Sequence, residues 1–593
     1  MPTYKAPLRD FQFVLKEWLD IEQYKDSLKG FDDLSIMDPI LDEAAKFCEG
    51  VLFPLNQSGD AEGLTFDKGN VHLPKGFKEA YQAYVAAGWP SFTCDPAYGG
   101  QGLPEVLNMP ITEMISSSNL SFGLLPGLSH GAYNAIHIWG TEEQKKTYLP
   151  KLVTGEWSGV MCLTEPQAGT DLGLIRTKAT PNGDGSYNIT GTKIFISEGE
   201  QDATENIVHL ILAKLPDAPA GSRGISLFVT AKFLPTAEGK PGERNKITCG
   251  AIEHKMGIHA SPTCVMNFDG AKAWLVGEPH KGLKAMFTMM NEARIYVGIQ
   301  GLGLGEVSYQ NALAYAKERL QMRSLKGAKY PDKPADPLVV HPDIRRMLLT
   351  MRAFCEGSRV LALWSALKVD THKRHSDPKV RQEADDFVQL MTPIVKSYLT
   401  DGGSEITNLG MQVLGGYGYI REYGMEQYVR DARIAQIYEG TNGVQALDLI
   451  GRKLPAHMGR YLRTFFHPVD QFLTENRDIP EMAEFNKPLY QAVGSLQNAS
   501  IWMAQKGLGN PDDPASGSVE YQRMFSLVVL GYIWARTAKI ALAKVKTSDE
   551  KNFYETKLAT ARFYMNKILP EHFSLLAKLT AGVKSLEMPD ITV

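Results

Sequence analysis

The sequence predicts an α+β protein of several domains, in the order helical, antiparallel β, helical, and helical again. Three observations predict it. The chain has 593 residues, room for three or four domains at about 150 residues each. Its apolar periodicity changes from helical spacing to alternation near Ser158 and back near Gly282. After Leu454 a further stretch alternates helical patterns with Pro-, Asp-, Gly- and Ser-rich breaks such as Asn510-Pro-Asp-Asp-Pro-Ala-Ser-Gly517. The expected boundaries are 1–35 for an N-terminal extension, 36–157 helical, 158–278 β, 279–454 helical and 455–593 for the C-terminal extension.

A helix is expected from Met37 to about Leu55, with Asp38 as its cap, Pro39 in its first turn, and Leu41, Ala44, Cys48 and Val51 on one face. The turn-rich Tyr98-Gly-Gly-Gln-Gly102-Leu-Pro104 interrupts the helical patterns that follow. Short β-rich runs come next: Ile194-Phe-Ile, Ile207-Val-His-Leu-Ile-Leu212, Ile225-Ser-Leu-Phe-Val229 and Cys264-Val-Met-Asn-Phe268. Turn clusters such as Pro181-Asn-Gly-Asp-Gly185 part them, which reads as an antiparallel all-β domain. Ile344, Leu348, Met351 and Phe354 then mark one apolar helical face. This order excludes the alternating βαβ pattern of a dinucleotide-binding fold.

Composition removes several function classes. Apolar residues make up 44% and charged residues 22%, ordinary for a soluble globular protein, and the net charge of −4 suits neither a nucleic-acid binder nor a partner for acidic surfaces. Six scattered cysteines without a CxxC suit a reducing compartment. The N-terminus lacks a signal-peptide pattern, and the longest apolar stretch, Phe525 to Ala535, is too short to span a bilayer. A soluble, cytoplasmic protein is expected, with no membrane insertion.

Among possible motifs, Gly298-Ile-Gln-Gly301-Leu-Gly303-Leu-Gly305 lies within a helical pattern. It reads as small residues for close helix packing, because a phosphate loop needs a preceding strand. Cys249, His254, His259 and Cys264 are spaced too evenly for a structural zinc site, and no metal is expected. Two segments carry more. Met161-Cys-Leu-Thr164-Glu-Pro-Gln-Ala-Gly169-Thr170-Asp171 offers hydroxyls and backbone amides on a glycine-containing turn, able to approach a flat cofactor and an anionic linker closely. Ile437-Tyr438-Glu439-Gly440-Thr441 sets a carboxylate at a helix boundary after an apolar residue. In an apolar niche it could serve as a general base, but the residues by themselves favour a simple helix cap.

With Gly191-Thr-Lys-Ile-Phe-Ile-Ser197 standing between them, these segments resemble, in sequence and in order, the acyl-CoA dehydrogenase family over about Ile36 to Leu454. The resemblance implies a β-barrel-like middle domain followed by a four-helix bundle. The C-terminal extension and Leu128-Ser-His-Gly131 resemble the larger bacterial branch, which includes broad-range fatty acyl-CoA dehydrogenases and 3-(methylthio)propanoyl-CoA dehydrogenases.

By this likeness Glu439 is the base that takes the α-proton of an acyl-CoA while the β-hydride passes to FAD, giving a trans-2-enoyl-CoA as in fatty acid β-oxidation. The thioester oxygen would be bound by the Glu439 backbone N–H and a flavin hydroxyl. Leu163, Thr164, Gly169, Thr170, Phe195 and Ser197 would contact the flavin. Arg319, Gln412 and Gly416 would grip the pyrophosphate and adenosine half, and Thr441 would meet the cofactor after the base. Thr170, Asn291, Arg294, Tyr438 and Gly440 would meet the substrate. Phe195 stands where many relatives carry Trp, Asn291 where an acidic residue is common, and Arg319-Leu-Gln-Met322 replaces the usual Arg-Lys-x-Phe.

The expected electron acceptor is an electron-transfer flavoprotein, and a homodimer is expected because the extension would cover the surface shorter relatives use to form tetramers. Three rivals remain. They are 3-(methylthio)propanoyl-CoA dehydrogenation, an acyl-CoA oxidase that differs in oxygen reactivity, and a flavin-containing DNA-binding relative of the alkylation-response group. The last wants a basic extension, whereas Pro455 to Val593 carries 16 Lys and Arg against 14 Asp and Glu. Leu124, Leu125, Leu128 and His130 are candidates for the acyl pocket.

Overall fold

The computed structural model describes residues 2–31 and 33–587, with the side chains of residues 291 and 292 outside that description. The fold is the expected one: helical, β, helical, with extra C-terminal helices. The chain forms two compact units that interleave along the sequence. The larger takes residues 1–45, 105–117 and 297–593, and the smaller takes 46–104 and 118–296.

The smaller unit is built on a seven-stranded sheet. Its strands are β1 (Trp157–Cys162), β2 (Lys178–Pro181), β3 (Tyr187–Ser197), β4 (Asn206–Lys214), β5 (Ile225–Ala231), β6 (Ile247–Ile252) and β7 (Thr263–Val276). The path runs β6-β7-β3-β2-β4-β1, with β5 joining β7 and β4. All four expected β-runs lie in these strands. The sheet is not purely antiparallel, however: β1 runs parallel to β4, Trp157 opposite Asn206 and Cys162 opposite Ile211. The intervening segments supply the long crossover that a parallel pair requires.

Alternation along β4 explains why both sheet faces are buried. Val208, Leu210 and Leu212 join one core with Ala132, Ile136, Leu149 and Leu152 of the helices Leu120–Trp139 and Glu142–Thr154. Ile207, Ile211 and Ala213 face the other core with Val160, Phe228, Met266 and Phe268. Cys249 and Cys264 lie in that second core, and His259 bonds instead to the Lys255 carbonyl and the Asp60 carboxylate.

The larger unit is helical. Its main elements are α1 (Glu105–Ser118), α2 (Gly282–Glu318), α3 (Pro342–Arg374), α4 (Pro378–Leu414) and α5 (Ser518–Lys544); α2 is assigned to this unit from Val297 onward and α1 through Ser117. The glycine run of α2 packs as expected: a Cβ on Gly301 would lie 2.2 Å from the Leu399 carbonyl oxygen of α4, and one on Gly403 only 2.5 Å from the Gly301 Cα. Leu348, Met351 and Phe354 of α3 are buried. The apolar run Phe525–Ala535 sits within α5, whose 27 residues exceed the length expected from sequence. By length and hydropathy α5 could cross a bilayer, yet 78% of its most apolar window is buried in the fold.

Two boundaries differ from expectation. The helix at Met37 is preceded by a 3-10 turn capped by Asp33, which accepts from the Ser35 amide, so Asp38 is not the cap and bonds Lys16 instead. That helix also runs past Leu55, through a π-turn at Cys48–Leu52, to Glu62.

At the heart of the larger unit lies a buried ionic cluster. Arg359 bonds Asp10, Glu113 (2.6 Å) and Glu306 (2.7 Å), while Lys557 bonds Asp10 and Glu356 (2.8 Å), which also holds Arg352 (2.6 Å). Three cations thus face four carboxylates, joining the first helix of the chain to its C-terminal extension.

Candidate functional site

In the smaller unit the Met161–Asp171 segment leaves β1 and folds back as a turn, with Glu165 and Ala168 exchanging backbone hydrogen bonds of 3.0 and 2.9 Å. Glu165 is buried and gathers the Arg176 amide (2.6 Å), the Thr177 amide (3.0 Å) and hydroxyl (2.6 Å), and Lys193 Nζ (2.9 Å). Burial works to raise this carboxyl, but Lys193, the Thr177 hydroxyl and the Arg176 amide outweigh it and hold it at about 2. Lys193, wholly buried, also donates to the Leu163 carbonyl at 2.9 Å, and burial lowers its pKa against the pull of Glu165.

The Ile194 amide bonds the Thr164 carbonyl at 2.9 Å. Leu163 and Thr164 are thereby stitched to the β3 segment carrying Phe195 and Ser197. Phe195 has φ +58° and is 59% exposed, an aromatic ring held outward by a backbone conformation that β-strand residues avoid. Gly169 and Thr170 are exposed beyond the turn. A fixed turn with open amides, an exposed hydroxyl and an outward ring fits one flat face of an aromatic cofactor.

Arg294 is buried with its guanidinium 5.8 Å from the Phe287 ring, while the Asn291 side chain lies outside the described residues. Leu124 and Leu125 are buried; Leu128 and His130 are half-buried, and His130 bonds Asn134 at 3.1 Å.

In the larger unit, Glu439 and Gly440 adopt successive left-handed conformations, φ +56° and +83°. The strain at Glu439, of order 1–3 kcal/mol for a non-glycine residue, is sustained by side chains that grip the turn. Gln445 Nε2 donates to the Glu439 carbonyl at 3.1 Å, and Lys396 Nζ to the Gly440 carbonyl at 2.8 Å. The Thr441 hydroxyl accepts from the Val444 amide (3.3 Å), capping the helix Asn442–Asp448. Tyr438 donates to Gln300, and burial raises its hydroxyl well above the usual phenol range. Glu439 is partly accessible and Ile437 is 47% exposed, so the turn is presented rather than sunk in an apolar niche.

Arg319 and Gly416 line one cavity of about 550 Å³ with Tyr315, Leu338, Val413 and Tyr417. The Arg319 guanidinium lies 5.5 Å from the Tyr417 ring. Gln412 is exposed on the last turn of α4 and does not line this cavity. A cation beside aromatic walls, in a cleft of ligand size, fits the pyrophosphate and purine of a nucleotide cofactor.

Sequence reasoning missed the residues that hold these turns. Lys193 lies inside the Gly191–Ser197 motif, whose pattern reads only as strand; its signal is a lysine on the side of the strand that Ile189 and Ile196 bury. Lys396, in Met391-Thr-Pro-Ile-Val-Lys-Ser-Tyr-Leu399, carries the same signal on a buried helical face.

Comparisons with known proteins match the chain domain by domain. Residues 38–156, 160–271 and 280–454 match, in turn, the N-terminal, middle and C-terminal domains of acyl-CoA dehydrogenase. Residues 465–589 match the domain described as acetyl-CoA dehydrogenase C-terminal like. The chain is similar to the 3-methylmercaptopropionyl-CoA dehydrogenase of Ruegeria pomeroyi, 40% identical over 98% of this chain and 99% of that one. It is similar also to the broad-specificity linear acyl-CoA dehydrogenase FadE5 of Mycobacterium tuberculosis, 35% identical over 96% of each. Its fold resembles a Bacillus anthracis acyl-CoA dehydrogenase solved with FAD, at a TM-score of 0.75 and 22% identity, over 94% of this chain and 90% of that one. With its domains matched in order and its relatives aligned nearly end to end, the chain belongs to the acyl-CoA dehydrogenase family.

Proposed function

We propose that Glu439 is the base in an FAD-dependent α,β-dehydrogenation of acyl-CoA thioesters to trans-2-enoyl-CoA. The class of activity follows from the family: the protein is an oxidoreductase acting on acyl-CoA with FAD as its cofactor. The assignment of Glu439 rests on one observation. A carboxylate stands on a strained, pinned and partly accessible turn, where it can meet a substrate proton without reorganising its backbone.

Bound FAD supplies the acceptor for the hydrogen that leaves the β-carbon with its electron pair. The residues of this chain do the rest. A Glu439 carboxylate oxygen takes the α-proton, and the Glu439 N–H stabilises charge on the thioester oxygen. Leu163, Thr164, Gly169, Thr170, Phe195 and Ser197 hold the flavin ring; Arg319 and Gly416, with Gln412 and Thr441, hold the rest of the cofactor. Thr170, Asn291, Arg294, Tyr438 and Gly440 meet the substrate.

Electrons pass on to an electron-transfer flavoprotein in the cytoplasm, and the protein works as a homodimer. Supporting self-association, though not its order, Met322 (77%), Leu325 (91%) and Tyr419 (78%) are strongly exposed apolar side chains of the larger unit. A tetramer mass by light scattering refutes the dimer. The R. pomeroyi relative favours a second reading of the substrate, 3-(methylthio)propanoyl-CoA.

An anaerobic titration of the FAD-loaded protein with butyryl- to palmitoyl-CoA and 3-(methylthio)propanoyl-CoA tests both readings, the flavin bleaching most readily with the true substrate. Glu439→Gln is expected to retain FAD and lose reduction by substrate; near-normal turnover refutes the base.

A further inference from the structure

Helix α4 sends one face of side chains to the two flanks of the base turn. Lys396 is completely buried, and its Nζ donates to the Gly440 carbonyl at 2.8 Å and to Asn442 Oδ1 at 2.7 Å. Asn442 Nδ2 donates to Asp401 Oδ1 at 2.6 Å and to the Thr400 hydroxyl at 3.0 Å. Gln436 Nε2 donates to that same Asp401 oxygen at 2.6 Å. A single carboxylate oxygen therefore collects the residue three before and the residue three after Glu439.

For packing alone this is a poor use of a helix interior. An ammonium taken out of water loses hydration that an apolar side chain of similar size never had, so a leucine or methionine would fill the site at less cost. What the lysine adds is a fixed hydrogen bond to the Gly440 carbonyl, in the second peptide after the base. With Gln445 on the Glu439 carbonyl and Lys396 on the Gly440 carbonyl, the two peptide planes that flank Gly440 are set. The left-handed turn at Gly440, and with it the peptide that leaves Glu439, is then held by side chains from two helices, Lys396 of α4 and Gln445 of Asn442–Asp448.

We propose that Lys396 and Asp401 are positioning residues for the base, acting on the rate of proton removal through the Glu439–Asn442 backbone; this rests on Glu439 being the base. Neither residue is placed against substrate or cofactor. Their loss should therefore separate chemistry from binding, which a merely structural defect would not do.

The test uses the full-length, FAD-loaded protein and four variants: Lys396→Met, Asp401→Ala, Asp401→Asn and Glu439→Gln. Flavin reduction by the best acyl-CoA is followed anaerobically by stopped flow, and product binding by the perturbation that the enoyl-CoA causes in the flavin spectrum. Lys396→Met and Asp401→Ala are expected to hold FAD and bind enoyl-CoA within about threefold of wild type, while reduction slows by about 100-fold, the scale of a 1 Å misplacement. The loss should appear in kcat with KM unchanged. Asp401→Asn keeps an oxygen acceptor and should restore most of the rate.

A wild-type reduction rate in Lys396→Met overturns the proposal, as does a loss confined to KM or an Asp401→Asn as slow as Asp401→Ala. Should Lys396→Met fail to load FAD, the two Asp401 variants decide. Glu439→Gln separates the two levels: if it reduces normally, the base assignment falls, whereas an inactive Glu439→Gln beside a fast Lys396→Met overturns only the positioning role of Lys396.

Discussion

Glu113 offers the sharpest test of how the buried cluster is balanced. It accepts from Arg359 Nε at 3.0 Å and from Nη2 at 2.6 Å, and it is 1% exposed. Burial raises its carboxyl from 4.5 to about 7; Arg359 opposes the rise, and Glu306 and Asp10 add to it. With three cations against four carboxylates, a proton on Glu113 leaves the cluster neutral.

Between pH 4.5 and 7 the folded protein therefore retains a proton that the unfolded chain has released. The associated stability is complete below 4.5 and is lost as pH rises through 7, a loss of up to about 3 kcal/mol. Glu113→Gln copies the protonated form and does not titrate. Its stability relative to wild type should therefore climb by up to about 3 kcal/mol between about pH 5 and 8. Urea midpoints of both FAD-loaded proteins, read at each pH by tryptophan fluorescence, measure this directly, since other groups cancel in the difference. Two parallel pH curves would refute the reasoning.

Lys193→Met leaves the Glu165 carboxylate buried without its cation and frees the Leu163 carbonyl, so FAD should bind at least about tenfold more weakly, about 1.4 kcal/mol. Titration of the apoprotein with FAD by fluorescence quenching checks it. Gly301→Ala places a methyl 2.2 Å from the Leu399 carbonyl oxygen and must push α2 from α4; a destabilisation of about 3 kcal/mol, seen as a lowered melting temperature, is expected. Asp336 is buried and accepts from the Ser324 and Tyr330 amides at 2.8 Å each and from the Lys329 amide at 3.0 Å, so Asp336→Ala should unpin the Ser324–Tyr330 loop. Limited proteolysis should then cut at Lys326 or Lys329, sites spared in the wild type.

The parts of the fold written in local pattern were legible. Ile207–Leu212 and Ile225–Val229 show β-propensity and turn punctuation that tertiary context did not override, and Gly298–Gly305 read correctly as a packing surface because no strand precedes it. What could not be read is set by distance along the chain. The parallel pairing of β1 with β4 leaves no local trace, since a strand buried on both faces reads alike in either direction. Asp38 looked like the better cap because Pro39 follows it, yet the chain turns helical three residues earlier at Leu34, where Asp33 is in reach. At the candidate site, motif and order pointed to the Glu439 turn, while the groups that pin it, Lys396 and Asp401, lie about 40 residues upstream on another helix.

The bond from Asp10 to Lys557 joins residues 547 positions apart. During synthesis at roughly 5–20 residues per second, Asp10 waits about 30 to 110 s for the lysine that completes its surroundings. The N-terminal helical segment therefore leaves the ribosome well before its partners, carrying a carboxylate and the apolar side chains of Phe11 and Phe13 that are fully buried in the folded protein. The last residue of the smaller unit, Tyr296, is by contrast made near the midpoint of synthesis. Birth order thus leaves the nascent N-terminal segment with its apolar side chains unenclosed for most of synthesis, and a chain released early would lack the partners that complete its helical core.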